Sequence, residues 1–310
     1  MKMVVGCPLL SGLFIERLYM FKGSFVALAT PFKNGKIDEP AFSRLIEMHV
    51  NAGTDGVIPC GTTGESATLS FEEHEYLVKL TVQLVAGRMA VIAGTGSNNT
   101  SEAIYLSKAA ERDGANGCLV VTPYYNKPTQ KGLIAYYREI AESIKIPIIV
   151  YNVPGRTGVN ISPAALQEIG KIPGICGVKE ASGDLVQMSE IFVDASLDFS
   201  VLSGDDMLLL PSLAIGSHGV VSVVANILPK ETKDMITAYR EGNHDLALSI
   251  HRKMFPVMKA MFLETNPIPV KAAMSLLGMI QPEIRSPLTV MEKDNLAQLK
   301  SVLIQYGFKL

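Results

Sequence analysis

The chain reads as an α/β protein: a (β/α)8 TIM barrel with a C-terminal three-helix extension. Three observations predict it. From residue 24 onward, eight short runs rich in Val, Ile, Gly and Cys read as buried strands. A segment with apolar residues every three to four positions follows each run, and right-handed crossovers return such a chain to one parallel sheet. Thr30, Thr62, Tyr124, Asn152, Lys179, Asp205 and Ser222 all fall at or just past the ends of the runs. In a barrel these converge on one mouth. A doubly wound open sheet has the same texture but gathers only those near its switch point.

The elements follow in order. Predicted strands cover residues 25–30, 56–60, 90–94, 117–122, 146–152, 175–180, 199–203 and 219–223. Predicted helices cover 40–51, 71–85, 101–113, 131–144, 163–169, 185–195, 207–215 and 231–241. Ser70 precedes Phe71 with Glu73 three residues on, a capping box, and Ser162-Pro163 places proline in a first helical turn. Gly87, Gly114 and Gly170 stand where helices end. Past Gly242, helical patterns at 245–264, 268–279 and 293–305 follow with no strand between them. The chain therefore divides into a leader over 1–19, a barrel over 20–242 and a helical extension over 243–310. In the leader, Lys2 and the apolar stretch after it imitate a signal peptide, but Pro8, Ser11 and Gly12 interrupt the stretch. Met20 is the expected start.

Composition excludes several functions. The 310 residues are 48% hydrophobic and 19% charged with a net charge of −2, which offers no electrostatic footprint for nucleic acid or an acidic membrane surface. Cys7, Cys60, Cys118 and Cys176 form no close pair, and the histidines show no H-E-x-x-H spacing, so no metal is expected. Free cysteines in apolar runs fit a reducing cytoplasm.

Four segments carry possible chemistry. Gly61-Thr62-Thr63-Gly64-Glu65-Ser66 follows the second strand. It is either a tight βα turn or a nest of backbone N–H groups suited to a carboxylate or phosphate. It lacks the spacing of a nucleotide-binding loop. Lys179 ends the run Gly177-Val178-Lys179-Glu180. At a strand end it is either a solvated rim lysine or, in a barrel mouth, an amine that desolvation keeps neutral enough to attack a ketone. Tyr151-Asn152-Val153-Pro154-Gly155-Arg156-Thr157 closes the fifth strand. Its phenol can shuttle protons or simply line the barrel; its Arg156 can fork onto a carboxylate or pair at the surface. In Pro123-Tyr124-Tyr125-Asn126 the tyrosines can pack at an interface or donate a hydroxyl to a site. Asp205-Asp206 reads as a cap for the following helix rather than a metal site.

Together with Asn266-Pro267-Ile268-Pro269-Val270-Lys271, these motifs, in order from about Met20 to the C-terminus, resemble the dihydrodipicolinate synthase group of the N-acetylneuraminate lyase superfamily. The resemblance implies a metal-free and cofactor-free lyase that condenses pyruvate with aspartate 4-semialdehyde through a Schiff base on Lys179. It makes Tyr151 the proton donor and acceptor, with Thr62 relaying to Tyr125 of a neighbouring subunit, and it implies a homotetramer built as a dimer of dimers. Thr63 and Val221 would hold pyruvate, and Arg156 the second carboxylate. Feedback inhibition by lysine is implied at Ser66, Ala67, His74, Asn98, Glu102 and Tyr124, with Phe71 where some inhibited members carry a second histidine.

Two rivals are weighed against this. A sugar-acid or sialic acid lyase would share Lys179 and Tyr151, but Arg156 favours a small anionic aldehyde. A barrel reduced to a scaffold would have lost Lys179, Tyr151 or the Thr62-Thr63 pair.

Overall fold

A computed structural model describes residues 21–193 and 200–310. The expected leader over 1–19 lies outside the described residues, as do Ala195 and Phe199 at the ends of a predicted helix and strand. Eight parallel strands close into a barrel: β1 (Gly23–Ala27), β4 (Gly56–Ile58), β5 (Ala90–Gly94), β6 (Gly117–Val121), β7 (Ile148–Asn152), β8 (Ile175–Glu180), β9 (Ser200–Ser203) and β10 (Gly219–Ser222). Each pairs with its sequence neighbour, and β1 also pairs with β10 to shut the ring. All eight predicted strands are present. A two-stranded hairpin, β2 (Phe32–Lys33) and β3 (Lys36–Ile37), follows β1 and is absent from the predicted elements. Its turn is Asn34-Gly35 with both φ angles positive (54° and 76°), the dipeptide that tight hairpins favour.

Alternation along the strands builds two cores. Phe25, Ala27, Ile58, Ile92, Leu119, Ile149, Tyr151, Leu202 and Val221 point into the barrel. Their neighbours Val26, Val57, Val91, Cys118, Val120, Val150 and Val178 face the helices. Burying a side chain of this size contributes roughly 1.5–3 kcal/mol, so the two layers dominate the stabilisation. Phe21 meets Phe25 edge-on at 6.0 Å at the strands' N-terminal end.

The crossovers are helical: α1 (Glu39–Asn51), α2 (Phe71–Val85), α3 (Thr100–Arg112), α4 (Gln130–Ser143), α5 (Pro154–Thr157), α6 (Pro163–Gly170), α7 (Leu185–Val193), α8 (Leu209–Ala214) and α9 (Pro229–Arg240). The capping box at α2 is formed, with Ser70 and Glu73 exchanging hydrogen bonds of 3.2 and 3.1 Å. Ser162 caps α6 by accepting from Ala165 N. The one-turn α5 is not among the predicted helices; proline's fixed φ suits its first residue. Helices α10 (His244–Ala260), α11 (Ile268–Leu276) and α12 (Lys293–Tyr306) form the C-terminal extension, α10 packing on α9 and α12. Among the described residues no helix is long and apolar enough to cross a membrane.

Candidate active site

Tyr151 on β7 and Lys179 on β8 are register partners. Ile149 and Tyr151 point inward while Val178 points outward, so the two-residue period turns Lys179 inward beside the phenol. The Lys179 Nζ sits 4.1 Å from the centroid of the Tyr151 ring. Both side chains are buried, Lys179 at 5% exposure. Among the described residues no carboxylate forms an ion pair with this amine. A buried amine without a counter-ion is costly and therefore informative. Room for it comes from Gly204, where a Cβ would stand 3.0 Å from Lys179 Cε and 2.5 Å from Ala181 Cβ.

Above the pair lies a cavity of about 130 Å³, walled by Thr62, Thr63, Arg156, Asp205 and Asn266. The 61–65 loop closes on itself through Gly64 N→Gly61 O and Glu65 N→Thr62 O, both 3.1 Å, and Thr30 Oγ1 donates to Gly64 O at 2.7 Å. The N–H groups of Thr62 and Thr63 make no hydrogen bond to described residues. Two such donors, with two hydroxyls, are what a carboxylate needs. Thr63 is buried, and its Oγ1 accepts from Asn266 Nδ2 at 3.0 Å; Thr62 is half-buried. Val221 faces the barrel interior as a register partner of Phe25, below the cavity; Val223 is the valine that lines it. Arg156, at the end of α5, is exposed at the rim and donates from Nη2 to the Asn266 carbonyl at 3.1 Å.

Several contributors have contacts that the sequence alone does not assign. Glu65 is buried in an ion pair with Lys271 and also accepts from Arg285 N at 2.9 Å. Burial pulls the Lys271 amine below its ordinary range, with the Glu65 charge opposing that. Phe32 lies under both cations, 4.5 Å from Lys271 Nζ and 4.2 Å from Arg285 Cζ. Behind Lys179, buried Glu180 accepts from Asn152 Nδ2 at 3.0 Å and Ser182 N at 2.7 Å, pinning the end of β8. The aspartate pair divides its work. Asp205 Oδ1 accepts from Met207 N at 2.8 Å in the turn ahead of α8, whose N-cap is Leu208 and not the expected aspartate, and burial raises its carboxyl. Asp206 does not cap a helix: its Oδ2 accepts from Val223 N and Val224 N, both at 2.9 Å, holding the turn after β10. Burial raises its carboxyl too. Among the described residues no three His, Cys, Asp or Glu side chains are grouped to hold a metal ion.

Tyr125 is not among the residues lining the cavity. It is 90% exposed, in a turn with φ of +70°, and Tyr124 beside it is 39% exposed. A second, wider cleft of about 490 Å³ shares Thr62, Arg156 and Asn266 with the first. Of the six residues tied to lysine by resemblance, Ser66, Ala67, His74, Glu102 and Tyr124 line this cleft. Asn98 is not in its lining; its carbonyl accepts from Asn126 Nδ2 at 2.8 Å. His74 Nε2 donates to the Gly94 carbonyl at 2.7 Å, and burial lowers its pKa.

The arrangement offers an amine, a phenol and a carboxylate cradle within one cavity. Comparison with known proteins places the chain in a family. The profile of the Dihydrodipicolinate synthetase family matches residues 20–306. The 4-hydroxy-tetrahydrodipicolinate synthase of Syntrophus aciditrophicus (strain SB) is 52% identical over 288 residues, 93% of this chain and 99% of its own. The crystal structure of dihydrodipicolinate synthase from Aquifex aeolicus superposes with a TM-score of 0.90 at 48% identity, covering 92% of this chain and 98% of that one. The enzyme from Cyanidioschyzon merolae with lysine bound superposes at 0.89 with 41% identity, covering 93% and 98%. This chain belongs to the dihydrodipicolinate synthetase family.

Proposed function

We propose that the chain condenses pyruvate with aspartate 4-semialdehyde to 4-hydroxy-tetrahydrodipicolinate, as a Schiff-base lyase of the diaminopimelate and lysine pathway. The observation that carries this reading is the buried Lys179 amine, with no ion-pairing carboxylate among the described residues, against Tyr151 in a cavity walled by hydroxyls.

The keto acid's carboxylate lies on the N–H and hydroxyl groups of Thr62 and Thr63. Lys179 attacks its carbonyl carbon, and Tyr151 returns a proton to the oxygen, which leaves as water. The iminium makes the neighbouring methyl acidic; loss of one proton gives the enamine. Its carbon attacks the aldehyde of the second substrate, whose oxygen takes up a proton while Arg156 holds the carboxylate. The second substrate's amine then adds to the iminium carbon and displaces Lys179, closing the ring and freeing the enzyme.

Tyr125 reaches solvent rather than this cavity, which supports its use by a second copy of the chain, through Thr62, in a homotetramer built as a dimer of dimers. Val221 shapes the floor from below. The unpaired Cys60, Cys118 and Cys176 support a cytoplasmic setting. The second cleft is the proposed lysine-inhibition site, formed by Ser66, Ala67, His74, Glu102 and Tyr124, with Asn98 outside its lining.

The test is pyruvate consumption with aspartate 4-semialdehyde beside N-acetylmannosamine, for the wild type and Lys179→Ala. Turnover with the semialdehyde alone, falling by several orders of magnitude in the variant, is expected. Preference for the sugar would overturn the substrate, and near-normal turnover of Lys179→Ala would overturn the mechanism.

A further inference from the structure

We propose that Asn266 is a positioning residue: it orients the Thr63 hydroxyl so that its proton is presented to the keto acid's carboxylate. This rests on the reading of Lys179 and the 61–65 loop given above.

Asn266 stands before α11, outside the barrel in sequence and 203 residues from Thr63. It lines the cavity with Lys179, and its amide Nδ2 donates to Thr63 Oγ1 at 3.0 Å, both residues being buried. A hydroxyl has one proton and two acceptor positions. With the amide filling one acceptor position, the Thr63 proton must point elsewhere, and no described residue accepts it. The Thr62 and Thr63 N–H groups are likewise free of described partners. Three donors of one short loop thus lack an acceptor among the described residues, a set that an incoming carboxylate can satisfy.

The same residue does a second, separable task. Its backbone carbonyl accepts from Arg156 Nη2 at 3.1 Å, so the main chain steadies the guanidinium while the side chain steadies Thr63. One helical turn on, Lys271 holds Glu65 at the far end of the loop. Residues 266–271 therefore grip the carboxylate cradle at both ends.

The division between side chain and main chain makes the idea testable. Borohydride trapping of the Lys179–pyruvate imine, read by mass spectrometry, gives the half-saturating pyruvate concentration directly. Asn266→Asp replaces the donor with an acceptor that takes the Thr63 proton for itself. It should raise half-saturation about tenfold or more, the size of one lost charge-assisted hydrogen bond. Asn266→Ala should raise it severalfold. Because the Asn266→Ala variant keeps the backbone carbonyl, its KM for aspartate 4-semialdehyde should stay within about twofold of wild type. That split separates positioning from general damage, and it decides the matter alone if the Asp variant fails to fold. An unchanged half-saturation in Asn266→Asp would mean that the amide faces Thr63 with its oxygen, and the proposal falls. It also falls if Asn266→Ala raises both constants alike. Failure of the wild type to trap pyruvate at all would instead remove the Lys179 reading, and this proposal with it.

Discussion

Gly204→Ala is the sharpest test of how Lys179 is held. The new methyl would stand 2.5 Å from Ala181 Cβ, 3.0 Å from Lys179 Cε and 3.1 Å from the Glu180 carbonyl oxygen. Carbon atoms rest about 3.5–4.0 Å apart, so the ends of β8 and β9 must separate by roughly 1–1.5 Å. The lysine stem can swing, but Ala181 Cβ and the Glu180 carbonyl belong to the backbone that carries Lys179, and they cannot move without it. Overpacking of this kind costs about 1–3 kcal/mol, which leaves the barrel folded. A displacement near 1 Å at the reacting group costs about a hundredfold in rate. The expected outcome is a kcat/KM lowered about a hundredfold, a slower imine-trapping rate and a melting temperature only a few degrees lower. A variant that trapped and turned over within threefold of wild type would refute the reasoning, because Lys179 would then be held by something other than this close packing.

Other outcomes follow from the same geometry. Lys271→Met strands the buried Glu65 carboxylate and should lower stability in urea by about 3–5 kcal/mol, whereas Glu65→Met/Lys271→Met should recover much of that; equal losses in both would show that the ion pair is not what matters. Burial depresses the His49 pKa from its ordinary 6.5 to about 3, so the native state refuses a proton that the unfolded chain accepts. Its contribution is complete above pH 6.5 and is lost as pH falls, by about 2 kcal/mol at pH 5. His49→Asn should flatten the stability profile between those values, and an unchanged slope would exclude His49 as its source. Saturating L-lysine should lower the rate or raise the melting temperature through the second cleft; if it alters neither, the cleft is not an inhibitory site in this chain.

Much of this molecule is legible in its sequence, and the exceptions share a cause. Strands and helices are readable because burial imposes a period of two or of three to four on neighbouring residues, as Val178 and Lys179 demonstrate by facing opposite sides of β8. The hairpin after β1 escapes because each of its strands is two residues long, too short for any period, although Asn34-Gly35 signals it. The positions of Lys179, Tyr151 and Thr63 at one mouth follow from the barrel itself. The roles of Asn266, Lys271 and Asp206 do not, since each acts on a partner far away in sequence: Thr63, Glu65 and the Val223-Val224 turn. Gly204 is silent in a different way, because what matters there is the space that a side chain would fill. Arg156, expected as a fork for a carboxylate, stands at the rim, anchored by one hydrogen bond and otherwise free to follow a ligand.

The grip of residues 266–271 on the 61–65 loop also sets an order of events during synthesis. Thr63 and its amide partner are separated by 203 residues, so at about 5–20 residues per second a ribosome needs roughly 10–40 s to deliver the second after the first. Lys179 and Tyr151 emerge within that interval, before the anion cradle has its outer support. A nascent barrel would thus carry its reactive amine while still unable to retain a keto acid firmly. Docking of residues 266–271 would then tighten the hold on the keto acid rather than start the chemistry.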